Sequence, residues 1–524
     1  MSAADRGDRH LDVAIVGGGM AGSLLARQLK RARPSLRMGV FEKSTERSYK
    51  VGESLVEIAS NHLVRRHRLS GYLYENHVPK NGLRYFFDGE SRSTPLTEMS
   101  EIGPINLPFH PAFQIDRARL EADLLEMIEG IGVEVRTGVR VDSVAIGSGD
   151  AAHELVVRSS GADETRSCRW LIDASGRAGV VSSELGLRTP ETQHRVGAVW
   201  SRFGGVADVD EMGSDEWRAR VRHSSRRLST MHFWYPGYWF WVIPLRGGLT
   251  SVGLVGEVVR GRDLRTAEGF RAFLREHRGI EELLGSAEMI DCGSFSQLSY
   301  GTKRFFHEDR WGLTGEAATA ADPLYSPGSD FIALENDFLA DLIESDFAGE
   351  SRQMINERLD LYERFMQFRH ESAMLLYRGL YGGLGSYELM RAKWDLDIGC
   401  YYNLWVSPYM QDLHLDPRFL RRQLRMSPFV LQALRNFAGL LRAVESSLRA
   451  RDLYFRRNAG EFSCGLENID FVTEVGTPRK RREVLRKTEE IFNLVLSRAS
   501  ELIGQDGASE HRSLQSFVNE QPLL

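Results

Sequence analysis

Residues 11–16 are apolar at five of six positions, a run of strand length whose density fits a parallel strand buried on both faces. Residues 17–22 break it with glycines, and residues 23–31 resume with apolar side chains at helical spacing. Residues 37–41 form a second apolar run that ends at Glu42, so the opening of the chain predicts a β-α-β unit. An amphipathic helix is expected over residues 117–127 and strands over 133–135, 139–144, 154–159 and 170–173. The last of these runs into the turn Ala174-Ser175-Gly176. From 196 to 255 aromatic-rich, strand-like segments dominate and predict a second, antiparallel sheet. A long helix is expected from Phe331, and beyond residue 362 the pattern is almost wholly helical.

Those patterns divide the chain into an α/β module over residues 10–362, its second sheet at about 190–300, and a C-terminal helical domain over residues 363–524. A chain of 524 residues is too long for one compact core, which agrees with that division. Hydrophobic content of 42% and charged content of 27% describe an ordinary soluble globular enzyme. The net charge of −5 gives no reason to expect nucleic acid or an anionic membrane as partner. The polar first ten residues do not read as a signal peptide, and no apolar run approaches a membrane span. Cys168, Cys292, Cys400 and Cys464 lie far apart, without metal-binding spacing, and fit reduced thiols in a cytoplasmic protein. The basic run Pro478 to Arg482 reads as a solvated helix face, and residues 508–524 as a loose tail.

The glycine-rich break fits G-x-G-x-x-G in the context that gives the pattern meaning: after a strand, opening a helix, with an acid about twenty residues on. Gly17 permits the tight turn, Gly19 lets the backbone approach a pyrophosphate, and Gly22 allows close helix–sheet packing. The helix N-terminus favours the ligand's negative charge, and Glu42 would bind adenosine ribose hydroxyls. By itself this loop does not decide between NAD and FAD.

Trp239-Phe240-Trp241-Val242-Ile243-Pro244 is the rarest pattern in the chain. Read locally it is a half-buried strand with two tryptophans on one face and a fixed backbone dihedral at Pro244. W-x-W-x-I-P is also the signature of the flavin-dependent halogenases, and the stretch with Gly247-Gly248 and Ser251-Val252-Gly253 resembles theirs. Further segments extend the likeness over roughly residues 10–345. Gly52-Glu53-Ser54 matches the family's Gly-Glu-Ser, although Val56-Glu57 stands where many members have Pro. Pro79-Lys80-Asn81-Gly82, before the aromatics Tyr85 and Phe86, is similar to the K-x-G segment whose lysine lies between flavin and substrate. The segments around Arg117, around Asp173, and at Gly315-Glu316 resemble flavin-contacting segments of the related aromatic-hydroxylase monooxygenases; at the last, the family has Asp where this chain has Glu316. Asp322-Pro323-Leu324-Tyr325-Ser326-Pro327-Gly328 resembles the loop whose backbone amides help bind halide, with Ser326 and Gly328 in place. Pro327 supplies no N–H there.

The resemblance implies a fold of FAD-binding Rossmann-like type with an antiparallel substrate-side sheet and a C-terminal helical domain. It implies FAD, reduced by a separate flavin reductase, with halide and oxygen as co-substrates and an electron-rich aromatic, phenolic or pyrrolic, free or carrier-protein-bound, as substrate. In that chemistry a flavin hydroperoxide and halide yield hypohalous acid, which Lys80 holds near the ring. Trp239, Trp241 and Pro244 form a wall that keeps the substrate from the flavin. Cofactor contacts are implied for Gly17, Gly19, Gly22, Glu42, Gly52, Glu53, Arg117, Asp173, Gly315 and Glu316. Asp322, Pro323, Ser326 and Gly328 are implied to form the halide and flavin loop. A halogenase-like monooxygenase that oxidises its substrate directly is the first alternative, favoured by Pro327. A non-catalytic flavin-binding protein is the second. Tryptophan halogenases place a ring-stabilising glutamate where this chain has Tyr325, which argues against free tryptophan as substrate.

Overall fold

His10–Val16 is the central strand of a parallel sheet, hydrogen-bonded to Met38–Glu42 on one side and Asp163–Asp173 on the other. Both faces of that strand are covered, and Val13, Ala14 and Ile15 are fully buried. The computed structural model describes residues 10–46, 48–159, 161, 163–261, 263–465, 470–504 and 511–519. The sheet runs in the order Phe306–His307, Trp311–Leu313, Asp163–Asp173, His10–Val16, Met38–Glu42, Glu134–Thr137. Arg140–Ala145 and His153–Arg158 add an antiparallel wing, which is why the strand expected at residues 170–173 begins at Asp163. The helices Met20–Ala32 and Arg117–Glu129 pack together over this sheet.

The second sheet is built around the antiparallel strands Gly197–Gly204, Leu249–Gly256, Tyr238–Pro244 and Thr230–Tyr235. It differs from the expectation in two respects. Leu83–Phe87 joins it parallel to Thr230–Tyr235, followed by Ser100–Ile102 and Phe462–Ser463, so the sheet is mixed and draws strands from outside residues 190–300. Tyr238–Pro244 is buried at every position rather than on one face. Trp239, Trp241 and Ile243 enter the core shared with the nucleotide-side sheet, while Phe240 and Val242 face a separate cluster under Ala267–Arg275 and Arg278–Leu284. Gly253 makes room for this arrangement, because a Cβ there would run into the indole of Trp241.

Pro327–Phe347, Arg352–Met374, Tyr387–Cys400, Pro417–Ala450 and Arg481–Ile503 are the main helices of the C-terminal half. The first begins at Pro327, four residues before the expected start at Phe331. Proline suits that first helical position, where no N–H is needed. Arg352–Met374 runs without interruption through the point where the sequence turns helical, and one buried cluster extends from Leu11 to Phe517. Phe517, stacked on Phe437 and edge-on to Phe492, docks residues 511–519 on the helices instead of leaving them loose. The rest of the expected tail, residues 508–510 and 520–524, lies outside the described residues. Among the described residues no helix is long and apolar enough to cross a membrane.

Candidate functional site

Gly17 has φ +104°, and a Cβ on it would strike the carbonyl of Ala174 at the end of the neighbouring parallel strand. A Cβ on Gly22 would strike the carbonyl of Gly17, so these two glycines are fixed by backbone packing. Gly19 differs, since nothing of the protein lies nearer than 3.7 Å to a Cβ there. It stands at the N-cap of Met20–Ala32 with no side-chain cap, which leaves the first-turn amides open to an anion. Glu42 spans the turn, accepting hydrogen bonds from the Gly18 amide at 2.7 Å and the Ser44 amide at 2.9 Å. This is a cradle that fits the pyrophosphate and ribose of a dinucleotide.

Arg117 opens the helix that faces the glycine loop. Its guanidinium donates to the Val51 carbonyl at 2.8 Å and to Glu121, and it lies against Gly52, whose φ is +94°. Glu121 also takes Lys50 at 2.5 Å; burial pushes its carboxyl up, and the two cations pull it below the usual range. The Glu121 carboxylate is the group next to Gly19, so this pair brings charge to the edge of the cradle.

Two expected cofactor residues, Glu53 and Asp173, have their carboxylates committed elsewhere. Glu53 is buried and pairs with Arg202 of the second sheet at 2.8 Å; burial raises its carboxyl despite that partner. Asp173 is fully buried and accepts from the amides of Ser175, Val181 and Ser182 and from the Ser175 hydroxyl, which makes it the organiser of that turn. Glu316 keeps a half-exposed carboxylate 3.5 Å from Arg177. Gly315, at φ +65°, is held instead by Glu335, a residue with no motif signal, whose carboxylate accepts from the Gly315 amide at 2.6 Å. Complete burial pushes Glu335 up to about 8.

Lys80 ends the short strand Val78–Lys80 and is only 2% exposed. Its Nζ donates to the Ser54 hydroxyl at 2.8 Å and the Leu55 carbonyl at 2.9 Å. Burial lowers its pKa to about 8, with the carboxylates of Glu57 and Asp330 acting in the other direction. Ser54 lies 3.0 Å from the Thr230 hydroxyl and 3.1 Å from that of Ser326. The Gly-Glu-Ser segment, the lysine and the Asp322–Gly328 loop therefore meet at one hydroxyl. Ser326 adopts φ +53°, and after it the N-terminus of Pro327–Phe347 opens at the same place. The amides of Gly328 and Ser329 are first-turn donors without intrahelical acceptors.

The tryptophan strand reaches this loop indirectly. Trp239 Nε1 donates to the Tyr381 hydroxyl at 2.8 Å, which donates to Asp322 at 2.6 Å; His194 Nε2 lies 2.7 Å from the same carboxylate oxygen. The other oxygen of Asp322 accepts from the Leu324 amide, with Pro323 between them in the first turn of the loop. Trp241 donates to Ser251 at 3.1 Å, and Pro244 closes the strand opposite Thr250. Neither indole is among the side chains lining the cavity that Lys80 lines; Trp239 is tied to the Asp322 loop through Tyr381.

That cavity has a volume of about 470 Å³ and a mainly apolar wall. Tyr325 lines it, and its hydroxyl donates to Asp397 Oδ2 at 2.6 Å. Asp397, from Tyr387–Cys400, is also paired with Lys393, one helical turn away. Thus a carboxylate does stand beside the position where the sequence shows only tyrosine, delivered by the C-terminal helices. Asp330 is pushed up to about 7 by burial and is bonded to the Ala59 amide and the Tyr401 hydroxyl; Glu57 takes the Tyr402 hydroxyl. No sequence motif points to Asp397 or Lys393. Tyr377, Tyr401, Tyr402 and Trp405 line the cavity as pocket-forming aromatics, and Tyr381 belongs to the Asp322 network instead.

The FAD binding domain model matches residues 10–329. The chain is 27% identical over 442 residues to the flavin-dependent halogenase chlA of Dictyostelium discoideum, covering 78% of this chain and 72% of that protein. It is 27% identical over 360 residues to the 1H-pyrrole-2-carbonyl-[peptidyl-carrier protein] chlorinase of Pseudomonas fluorescens, covering 64% and 77%. Among solved structures, halogenase PltM superposes with a TM-score of 0.65 at 17% identity over 94% of this chain and 98% of that one. CmlS, a flavin-dependent halogenase, gives 0.58 at 22% over 83% and 73%. With the dinucleotide cradle and the buried lysine, these likenesses make the chain an enzyme of the FAD-binding domain family and, within it, a flavin-dependent halogenase.

Proposed function

We propose that the protein halogenates an electron-rich aromatic ring, phenolic or pyrrolic, at Lys80. The observation that supports this most is the placement of a buried amine, with a pKa of about 8, in the wall of a mainly apolar cavity and beside the Ser326–Gly328 loop. When bound, reduced FAD would activate dioxygen, which supplies the oxidising equivalents that turn halide into an electrophilic halogen. Gly17, Gly19, Gly22 and Arg117 would hold it, and a flavin reductase would reduce it.

Lys80 has a neutral fraction near neutral pH because burial disfavours its charge. Its Nζ can thus donate to, or bond, an electrophilic halogen and hold it beside one ring carbon. Ser54 and the Leu55 carbonyl fix the amine's direction. The first-turn amides of Gly328 and Ser329 and the positive end of the helix dipole suit a halide, with Pro327 removing one donor. The apolar wall excludes bulk water, which would otherwise consume the electrophile.

A direct oxygenation of the ring is the second reading, and the missing amide at Pro327 favours it. Purified protein with a flavin reductase, NADH, FAD and bromide or chloride, offered phenols, pyrroles and free tryptophan, separates the readings by product mass. Brominated phenol or pyrrole is expected. Hydroxylated product alone would support the second reading, and preferential turnover of free tryptophan would refute the substrate class.

A further inference from the structure

One cavity, not two, joins Lys80 to the C-terminal helices, and its wall changes character along the way. At Lys80 it is polar, with Tyr325, Asp330 and Asp397. Asp397 is 2% exposed, and its Oδ1 has no hydrogen-bond partner among the described residues, while Oδ2 is taken by Tyr325 and Lys393. A buried carboxylate oxygen left unpaired is costly, and a ligand donor would relieve it. The helices that pack against Tyr387–Cys400 give the cavity an apolar wall, with Val430 and Leu434 of the long Pro417–Ala450 helix and Phe492 of Arg481–Ile503. Where exposed side chains complete the wall they are cationic: Arg422 and Arg481, beside the half-buried Arg479. The first 28 residues of the long helix, 417–444, contain six arginines and no acid, in a chain whose net charge is −5. The basic run that begins at Arg479, read from sequence as a plain solvated face, thus borders the active cavity.

A single phenol or pyrrole ring would leave most of this space empty, and it would leave the apolar length and the cationic end without purpose. We infer that the substrate is a ring with an O–H or N–H donor, extended by an apolar chain that ends in an anionic group. The donor is accepted by Asp397 Oδ1, the ring carbon faces Lys80, the chain lies along Val430, Leu434 and Phe492, and a carboxylate or phosphate reaches Arg422, Arg479 and Arg481. Asp397 acts here as a positioning residue. The inference rests on the halogenase reading only for the location of the ring.

Binding without turnover tests it. Isothermal titration calorimetry of the full chain would compare phenol, para-octylphenol, ω-(para-hydroxyphenyl)octanoic acid and the corresponding phosphate monoester. Burial of methylenes gives up to roughly fourfold per group, so octylphenol should bind at least about a hundredfold more tightly than phenol. The acid or the phosphate should bind severalfold more tightly again at low salt, an advantage that added salt and the double substitution Arg422→Ala, Arg481→Ala erase. Whichever anion gains more identifies the terminal group. Val430→Trp should abolish the chain's advantage and spare phenol, and Asp397→Asn should weaken all four probes, with melting curves confirming folded variants. Affinity independent of chain length overturns the inference, as does an equal effect of Val430→Trp on phenol and octylphenol. So does a chain-bearing anion that binds no better than octylphenol, or binding that requires a carrier protein. Bromination of phenol by the same preparation, lost in Lys80→Ala, would still stand in those cases and keeps the two readings separable.

Discussion

Lys80 shows how much one burial decides. The wild-type amine has an ordinary value of 10.5 and a folded value of about 8, so the unfolded chain holds the extra proton between those values. Unfolding in that window takes up a proton, and stability rises as pH climbs from about 8 to 10.5. Below pH 8 the charged amine stays buried at a penalty of about 3 kcal/mol. Such a penalty is tolerated at functional sites. Lys80→Ala is expected to keep FAD binding and flavin oxidation but to lose at least about a hundredfold in halogenated product, read by mass spectrometry. Retention of near wild-type halogenation would mean that the amine has no chemical role. In the wild type the halogenation rate should climb through about pH 8 as the neutral amine forms. A rate that is flat or falling there, with flavin reduction held constant, would show that the protonated form acts.

At the scale of elements, two helix N-termini meet the active region, and each yields a prediction. Gly17 and Gly22 are held by backbone contacts, whereas the space above Gly19 is open. Gly19→Val should therefore fold with a melting temperature close to wild type and yet lose the bound-flavin absorbance. Gly17→Ala, clashing with Ala174 at a positive φ, should lose stability first. A normal flavin spectrum in folded Gly19→Val would remove the pyrophosphate from this loop. The second N-terminus begins with Pro327. Pro327→Ser restores an amide in the first turn, and the halide concentration for half-maximal rate should fall about threefold to tenfold. An unchanged halide dependence would show that halide binds away from this helix.

Across the whole molecule, the helical half is part of the site's wall. Tyr325, from the Asp322–Gly328 loop, meets Asp397 from the C-terminal helices, and Trp239 meets Asp322 through Tyr381. A buried cluster continuous from Leu11 to Phe517 couples the two halves mechanically. Differential scanning calorimetry should accordingly show one unfolding transition, not two. Two resolved transitions would mean that the helices fold as a separate domain.

The β-α-β opening was legible because Leu11 to Val16, Gly17 to Gly22 and Glu42 are close in sequence and impose their geometry locally. Their roles depend on backbone periodicity and on glycine, both written directly into the chain. The tryptophans and Lys80 were legible as motifs, but their surroundings were not. Asp173 and Glu53 sit in recognisable segments, yet their carboxylates are taken by a turn and by Arg202, contacts the sequence does not rank against a ligand. Asp397 and Glu335 carry no motif at all, since each acts only where a distant helix brings it against Tyr325 or Gly315. The extra strand Leu83–Phe87 pairs across more than a hundred residues with Thr230–Tyr235, and such pairings follow from shared burial, not from local preference. The β-α-β opening, the dinucleotide loop and the family motifs could be read from the chain because they rest on short-range spacing. Only the tertiary structure decided which carboxylates are spent on the fold and which line the cavity, because burial and hydrogen-bond partners are properties of packing.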